Sequence, residues 1–155
     1  MTINGMVRVE ISDVLDMPAE DVWAVLRDFN ALPEYHPFFA TSHIEDGWPA
    51  DRIGCVRNFT GTEDGVFARE RLLGLDDHDM RCSYEIIELN MPFVFYISEV
   101  RLWKVSETGQ TFGLWWAEFS MDDKAASAAF AERVADTFRL GLHGAADVAR
   151  IRRNA

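Results

Sequence analysis

A chain of 155 residues, 48% hydrophobic and 26% charged, has globular composition and the size of one domain. Fifteen Lys and Arg against 26 Asp and Glu leave a net charge of −11, which repels phosphate backbones and anionic bilayers, so nucleic acid and lipid headgroups are poor partners. Two cysteines make no disulfide framework, residues 1–6 carry no secretory-leader pattern, and no apolar run approaches the ~18–20 residues of a bilayer span, so the expectation is a cytoplasmic protein with reduced thiols and no membrane insertion.

Residues 7–12 alternate, with Val7, Val9 and Ile11 on one face, which is the period of a half-buried strand. Pro18, followed by Glu20 and Asp21, starts a helix over 18–29 whose apolar stripe is Val22, Trp23, Val25, Leu26 and Phe29. Polar residues and two prolines over 30–37 predict a short broken helix or turn. Strands are then expected over 42–47, 54–60, 66–75, 81–89, 93–105 and 111–121, separated by turn signals such as Asp64-Gly65 and Thr108-Gly109. Residues 123–152 lack proline and repeat apolar positions at helical spacing, from Ala126 and Phe130 to Ala145 and Val148, so they form one long amphipathic helix. No internal repeat or linker divides the chain, and 1–155 reads as a single domain.

Seven antiparallel strands must cover an apolar face with one long helix. A curved sheet wrapped around one helix encloses more space than the helix fills, so a cavity is expected, lined by alternate residues of each strand.

The segments PAEDVWAVLRDFNALPEYHP (18–37), IGCVRNFTG (53–61), ARERLLGLDD (68–77) and ADTFRLGL (135–142) carry a resemblance across nearly the whole chain. In order and spacing they resemble the START-like (SRPBCC) helix-grip superfamily, which includes polyketide cyclase/dehydrase-like proteins and, more distantly, plant abscisic-acid receptors. The resemblance implies an α+β fold: a seven-stranded curved antiparallel sheet around a long C-terminal helix, with two short helices after the first strand. It also implies that Arg57, Phe59, Glu70, Tyr84, Tyr96, Ser98 and Glu118 face the cavity, with Phe138 and Gly141 lining it from the last helix. Two departures exclude a hormone receptor: the carboxylate-pairing lysine of that branch falls at Ala40, and the gate loop is replaced by TGTEDG (60–65). By the same resemblance, loops 61–65 and 90–94 are the expected entrance.

Three groups of residues are candidates for chemistry. In the first, Arg57, Glu70 and Glu118 would form the polar end of the cavity, since buried charges persist only when paired or hydrogen-bonded. Parity supports part of it, with Cys55, Arg57 and Phe59 on one face and Ala68, Glu70 and Leu72 on another. Such a cluster orients a ligand carbonyl or moves a proton, or is simply an ion pair between strands. In the second, Tyr35, His36, Tyr84 and Tyr96 can donate to a carbonyl or enolate oxygen, or can bury their rings and bond the backbone. The third is aromatic, and most of it is core; Trp115 and Trp116 point to opposite faces of one strand, so one is inside and one outside, with the choice left open and Trp116 among the ligand-binding candidates.

The four histidines show no metal-ligand spacing, the Asp76–Asp79 turn lacks a calcium-loop pattern, and no nucleotide motif is present, so neither metal nor cofactor is expected. The expected function is binding of a small hydrophobic molecule, aromatic or polycyclic, in an internal cavity. The alternative is a cofactor-independent polyketide cyclase, dehydratase or lyase with Arg57, Glu70, Glu118 and Tyr96 as catalytic groups. A homodimer is left open.

Overall fold

The computed structural model describes residues 5–155. Seven strands form one antiparallel sheet in the order β1-β7-β6-β5-β4-β3-β2. They are β1 (Met6–Leu15), β2 (Phe39–Ile44), β3 (Val56–Gly61), β4 (Phe67–Asp76), β5 (Arg81–Leu89), β6 (Phe95–Val105) and β7 (Gln110–Ser120). Helices α1 (Ala19–Leu26) and α2 (Leu32–Tyr35) follow β1, and α3 (Lys124–Arg153) closes the chain. This is the α+β helix-grip arrangement expected from the sequence.

The termini of α3 are set by side chains. Asp123 caps it, accepting a hydrogen bond from the Ala126 N–H at 3.0 Å, and Arg150, Arg152 and Arg153 complement its negative end. Its inward stripe, Phe130, Val134, Phe138, Leu142 and Ala145, packs against the inner face of the sheet. Gly144 allows α2 to approach: a Cβ there would lie 1.8 Å from the Tyr35 carbonyl oxygen.

Two expected boundaries shift. The strand expected over 42–47 begins at Phe39 and ends at Ile44, because Asp46 and Gly47 adopt positive φ (59° and 68°) in a 3₁₀ turn over Glu45–Gly47. Helix α1 stops at Leu26 rather than at residue 29; Phe29 is nonetheless 1% exposed, buried from the loop that follows.

Inner-face parity is simple in β6 and β7, where Tyr96, Ser98, Val100 and Leu102, and Trp115, Ala117 and Phe119, are buried. Between β4 and β5 it is broken twice. Ile87 and Leu73 are each an extra residue in the ladder, at the register shifts Arg69/Glu70 and Leu72/Gly74. Bulges of this kind bend a strand and re-aim its side chains.

Candidate functional site

Arg57 and Glu70 are direct partners across the β3–β4 ladder, and both point inward. They are 4% and 6% exposed. Arg57 donates Nε–H and Nη2–H to one carboxylate oxygen, Glu70 Oε2, at 2.9 and 2.5 Å. Its Nη1–H goes to the Phe29 carbonyl at 3.1 Å, and the guanidinium lies 4.0 Å from the Phe29 ring centre and 4.8 Å from that of Tyr84. Burial pushes the Glu70 carboxyl above its usual range, with the Arg57 charge pulling it back. Burial also opposes the Arg57 charge, but Glu70 together with the adjacent Tyr84 and Tyr35 outweighs that and keeps the guanidinium protonated.

Glu70 lines a cavity of about 90 Å³ between the inner face of the sheet and α3. Phe39, Phe59, Ala68, Ile86, Tyr96, Phe130 and Val134 give it apolar walls, and Val66, Phe67, Leu89, Asn90, Met91, Arg133 and Thr137 complete the lining. Among the described residues no protein donor reaches Glu70 Oε1, so the carboxyl keeps one oxygen for an occupant. The volume is below the ~150 Å³ of an engineered apolar cavity that accepts benzene, and far below the ~300 Å³ and more of drug-sized pockets.

Other expected site residues occupy packed positions instead. Trp115 donates its indole N–H to Tyr84 Oη at 2.9 Å; Tyr84 and Ser98 Oγ are 3.2 Å apart, and Ser98 Oγ–H reaches the Trp116 carbonyl at 2.7 Å. The directions close as one chain, because each hydroxyl has a single proton: Tyr84 must donate to Ser98 if Ser98 donates to the backbone. That chain satisfies every polar atom in it. His36 is likewise fully used, donating Nε2–H to the Thr137 carbonyl at 2.7 Å and accepting the Phe38 N–H on Nδ1 at 3.1 Å. Burial lowers its pKa and keeps it neutral. Tyr35 is buried beside Arg57 and its phenol is pushed up by desolvation. Phe138 stacks on Trp115 (5.1 Å, 8°), and Gly141 makes room for that indole, since a Cβ there would meet it at 2.7 Å. None of these six lines the cavity.

Two expected residues lie on the opposite face. Glu118 pairs with Arg8 of β1 at 2.7 Å, and Trp116 lies under the same guanidinium at 4.7 Å. The expected three-residue cluster is therefore a pair, Arg57 and Glu70, and Trp115 is the inward tryptophan. The parity of β7 held this signal, because Glu118 and Trp116 share their face with Ser120, whereas Trp115 shares its face with Ala117 and Phe119. Of the expected site residues, Glu70, Phe59 and Tyr96 line the cavity, with Arg57 directly behind Glu70.

On the helix side of the wall the expected lining is Phe138 and Gly141, whereas the cavity is bordered by Phe130, Val134 and Thr137. Phe130, Val134 and Thr137 follow from the inward stripe of α3 continued toward its start, and were readable. Leu89 faces inward because the extra residue at Ile87 switches the parity of β5 after Ile86, a switch whose trace in the sequence is the adjacent apolar pair Ile86-Ile87. The loop ends 66–67 and 90–91 do border the cavity, while residues 61–65 reach it only through Glu63, whose Oε2 is 3.1 Å from Arg133 Nη2.

Cys55 and Cys82 are buried free thiols. Among the described residues no three His, Cys, Asp or Glu side chains converge as metal ligands, and no helix is long and apolar enough to cross a membrane.

Solved structures share this architecture. The protein XoxI from Bacillus cereus is 21% identical and superposes with a TM-score of 0.78 over 92% of this chain and 94% of its own. A protein from Thermobifida fusca is 23% identical, with a TM-score of 0.78 over 92% of each chain, and one from Nitrosospira multiformis is 20% identical, with a TM-score of 0.77 over 91% of this chain and 94% of its own. At these identities the likeness speaks for the fold alone. The family model described as polyketide cyclase / dehydrase and lipid transport matches residues 6–150. With that match spanning almost all of a sheet wrapped on one long helix, the chain belongs to the polyketide cyclase/dehydrase and lipid-transport family of helix-grip proteins.

Proposed function

We propose that this protein binds a small apolar molecule in the cavity under the first half of α3, with its polar end against Glu70 and Tyr96. One observation carries the reading: a buried carboxyl with a free oxygen stands in an otherwise apolar inner wall. A structural ion pair needs only the bonds that Arg57 already makes. A hydroxyl brought in on an apolar body would donate to that free oxygen of Glu70 and complete its hydrogen bonding, while the body displaces water from Phe59, Ile86 and Phe130. The small volume favours a single ring or short branched chain, with anything larger extending through the mouth.

The family description supports a second reading, in which the same residues are catalytic. Glu70, with its carboxyl raised by burial, is suited to take a proton from carbon beside a substrate carbonyl and return it to a leaving hydroxyl, which departs as water. Tyr96, a buried phenol on the same wall, would donate to the developing enolate oxygen.

Native mass spectrometry of protein purified gently from its own cells tests the binding reading. A bound mass of one small organic molecule, absent from Val134→Phe, which fills the cavity from α3, is the expected result. A ligand retained equally by Val134→Phe would place binding elsewhere and overturn the reading.

A further inference from the structure

Apart from Glu70, Arg133 is the one charged residue lining the cavity among the described residues, and it is the only cation. It projects from α3 at the mouth, with 42% of its side chain exposed, opposite the inner end marked by Glu70. Its Nη2 is held by Glu63 Oε2 at 3.1 Å, from the loop between β3 and β4. Glu63 has no comparable anchorage: its side chain is 71% exposed. An ion pair that exposed adds little to stability and exchanges readily with another anion. Nearby Asp136 is already engaged by Arg139 at 2.7 Å.

We infer that Arg133 recognises a ligand carboxylate and that Glu63 holds its place when the cavity is empty, so the ligand class is a small aromatic or branched-chain carboxylic acid bound with its carboxylate outward on Arg133 and any hydroxyl of its body inward on Glu70 and Tyr96. This rests on the cavity reading above and adds to it the charge and the orientation of the ligand. The physical argument is a competition. Glu63 brings one carboxylate to Arg133 and buries nothing. A ligand acid brings the same carboxylate and also places its apolar body against Phe39, Phe59 and Phe130, so it wins by the area it removes from water. Orientation follows from charge. The inner end holds a carboxyl whose ionised form would repel an anion, and the net charge of −11 repels anions elsewhere, so the head group belongs at the mouth.

The experiment is an NMR titration of the labelled protein with two probes of one shape, phenylacetate and neutral 2-phenylethanol, at pH 7. Wild type should bind phenylacetate more tightly than the alcohol. Arg133→Gln should weaken phenylacetate by about tenfold or more while changing the alcohol by less than about twofold. Glu63→Gln should strengthen phenylacetate and leave the alcohol unchanged. If Arg133→Gln leaves phenylacetate unaffected, or weakens both probes equally, Arg133 does not read charge and the inference falls. Binding of the alcohol alone to wild type overturns this inference and leaves the cavity reading standing; binding of neither probe overturns both.

Discussion

Arg57 spends two of its N–H groups on a single oxygen of Glu70, at 2.9 and 2.5 Å, although a carboxylate offers two. A side-on, two-oxygen pairing is the commoner way for a guanidinium to satisfy a carboxylate. Here the neighbouring donor, Nη1, is directed to the Phe29 carbonyl, which ties β3 to the loop after α1 and turns the guanidinium away from Oε1.

That geometry separates two substitutions at one position. Glu70→Ala removes the partner of a buried cation and should cost about 3–5 kcal/mol. Glu70→Gln keeps a carbonyl oxygen for Arg57 and should cost distinctly less. Urea unfolding of the two variants checks this; equal losses would mean that the charge of Glu70, and not its hydrogen bonding, holds Arg57.

His36 should impose a pH dependence on stability. Its folded pKa lies below the ordinary value of 6.5 because it is buried, so the unfolded chain binds the extra proton first. The stability His36 contributes is complete above pH 6.5 and is lost as pH falls through the lowered folded value. Protonation would also put a hydrogen on Nδ1, which now accepts the Phe38 N–H. Melting temperatures between pH 7.5 and 5 should fall more steeply for wild type than for His36→Gln, which starts lower but lacks this titration. Parallel curves would contradict the assignment.

Tyr84 separates scaffold from site. Tyr84→Phe leaves the Trp115 N–H without its acceptor and Ser98 without its donor, at a cost of about 1–3 kcal/mol. Because Tyr84 does not line the cavity, small-molecule affinity should be unchanged within error in a titration with 2-phenylethanol. A large loss of affinity at unchanged stability would put Tyr84 in the site.

The fold was readable because its signals are local. Alternation in residues 7–12, turn pairs such as Asp64-Gly65, and the proline-free run of α3 each follow from one stretch of chain. Arg57 and Glu70 were readable for a related reason: neighbouring strands joined by a short turn place same-face residues opposite each other. The failures have two physical causes. The resemblance points Glu118 inward against its own strand's parity, which groups it with Trp116 and Ser120 on the outer face and settles the choice between the two tryptophans for Trp115. Leu89 sits beyond a bulge whose mark in the sequence, the adjacent apolar pair Ile86-Ile87, reads equally as the two faces of one regular strand. Tyr84, Ser98, Phe138 and Gly141 do point inward, but sequence does not say which inward residues pack together and which border empty space. That depends on side chains from six separate elements filling, or failing to fill, one volume.

The central claim is that Glu70 serves an occupant of the cavity and is not only the partner of Arg57. Glu70→Gln tests it most directly, with melting temperature and the affinity for 2-phenylethanol measured on the same samples at pH 7. A small drop in melting temperature is expected, with binding weakened by about fivefold or more as a charge-assisted hydrogen bond to the ligand becomes a neutral one. Unchanged affinity together with a melting temperature several degrees lower would show that Glu70 is scaffolding.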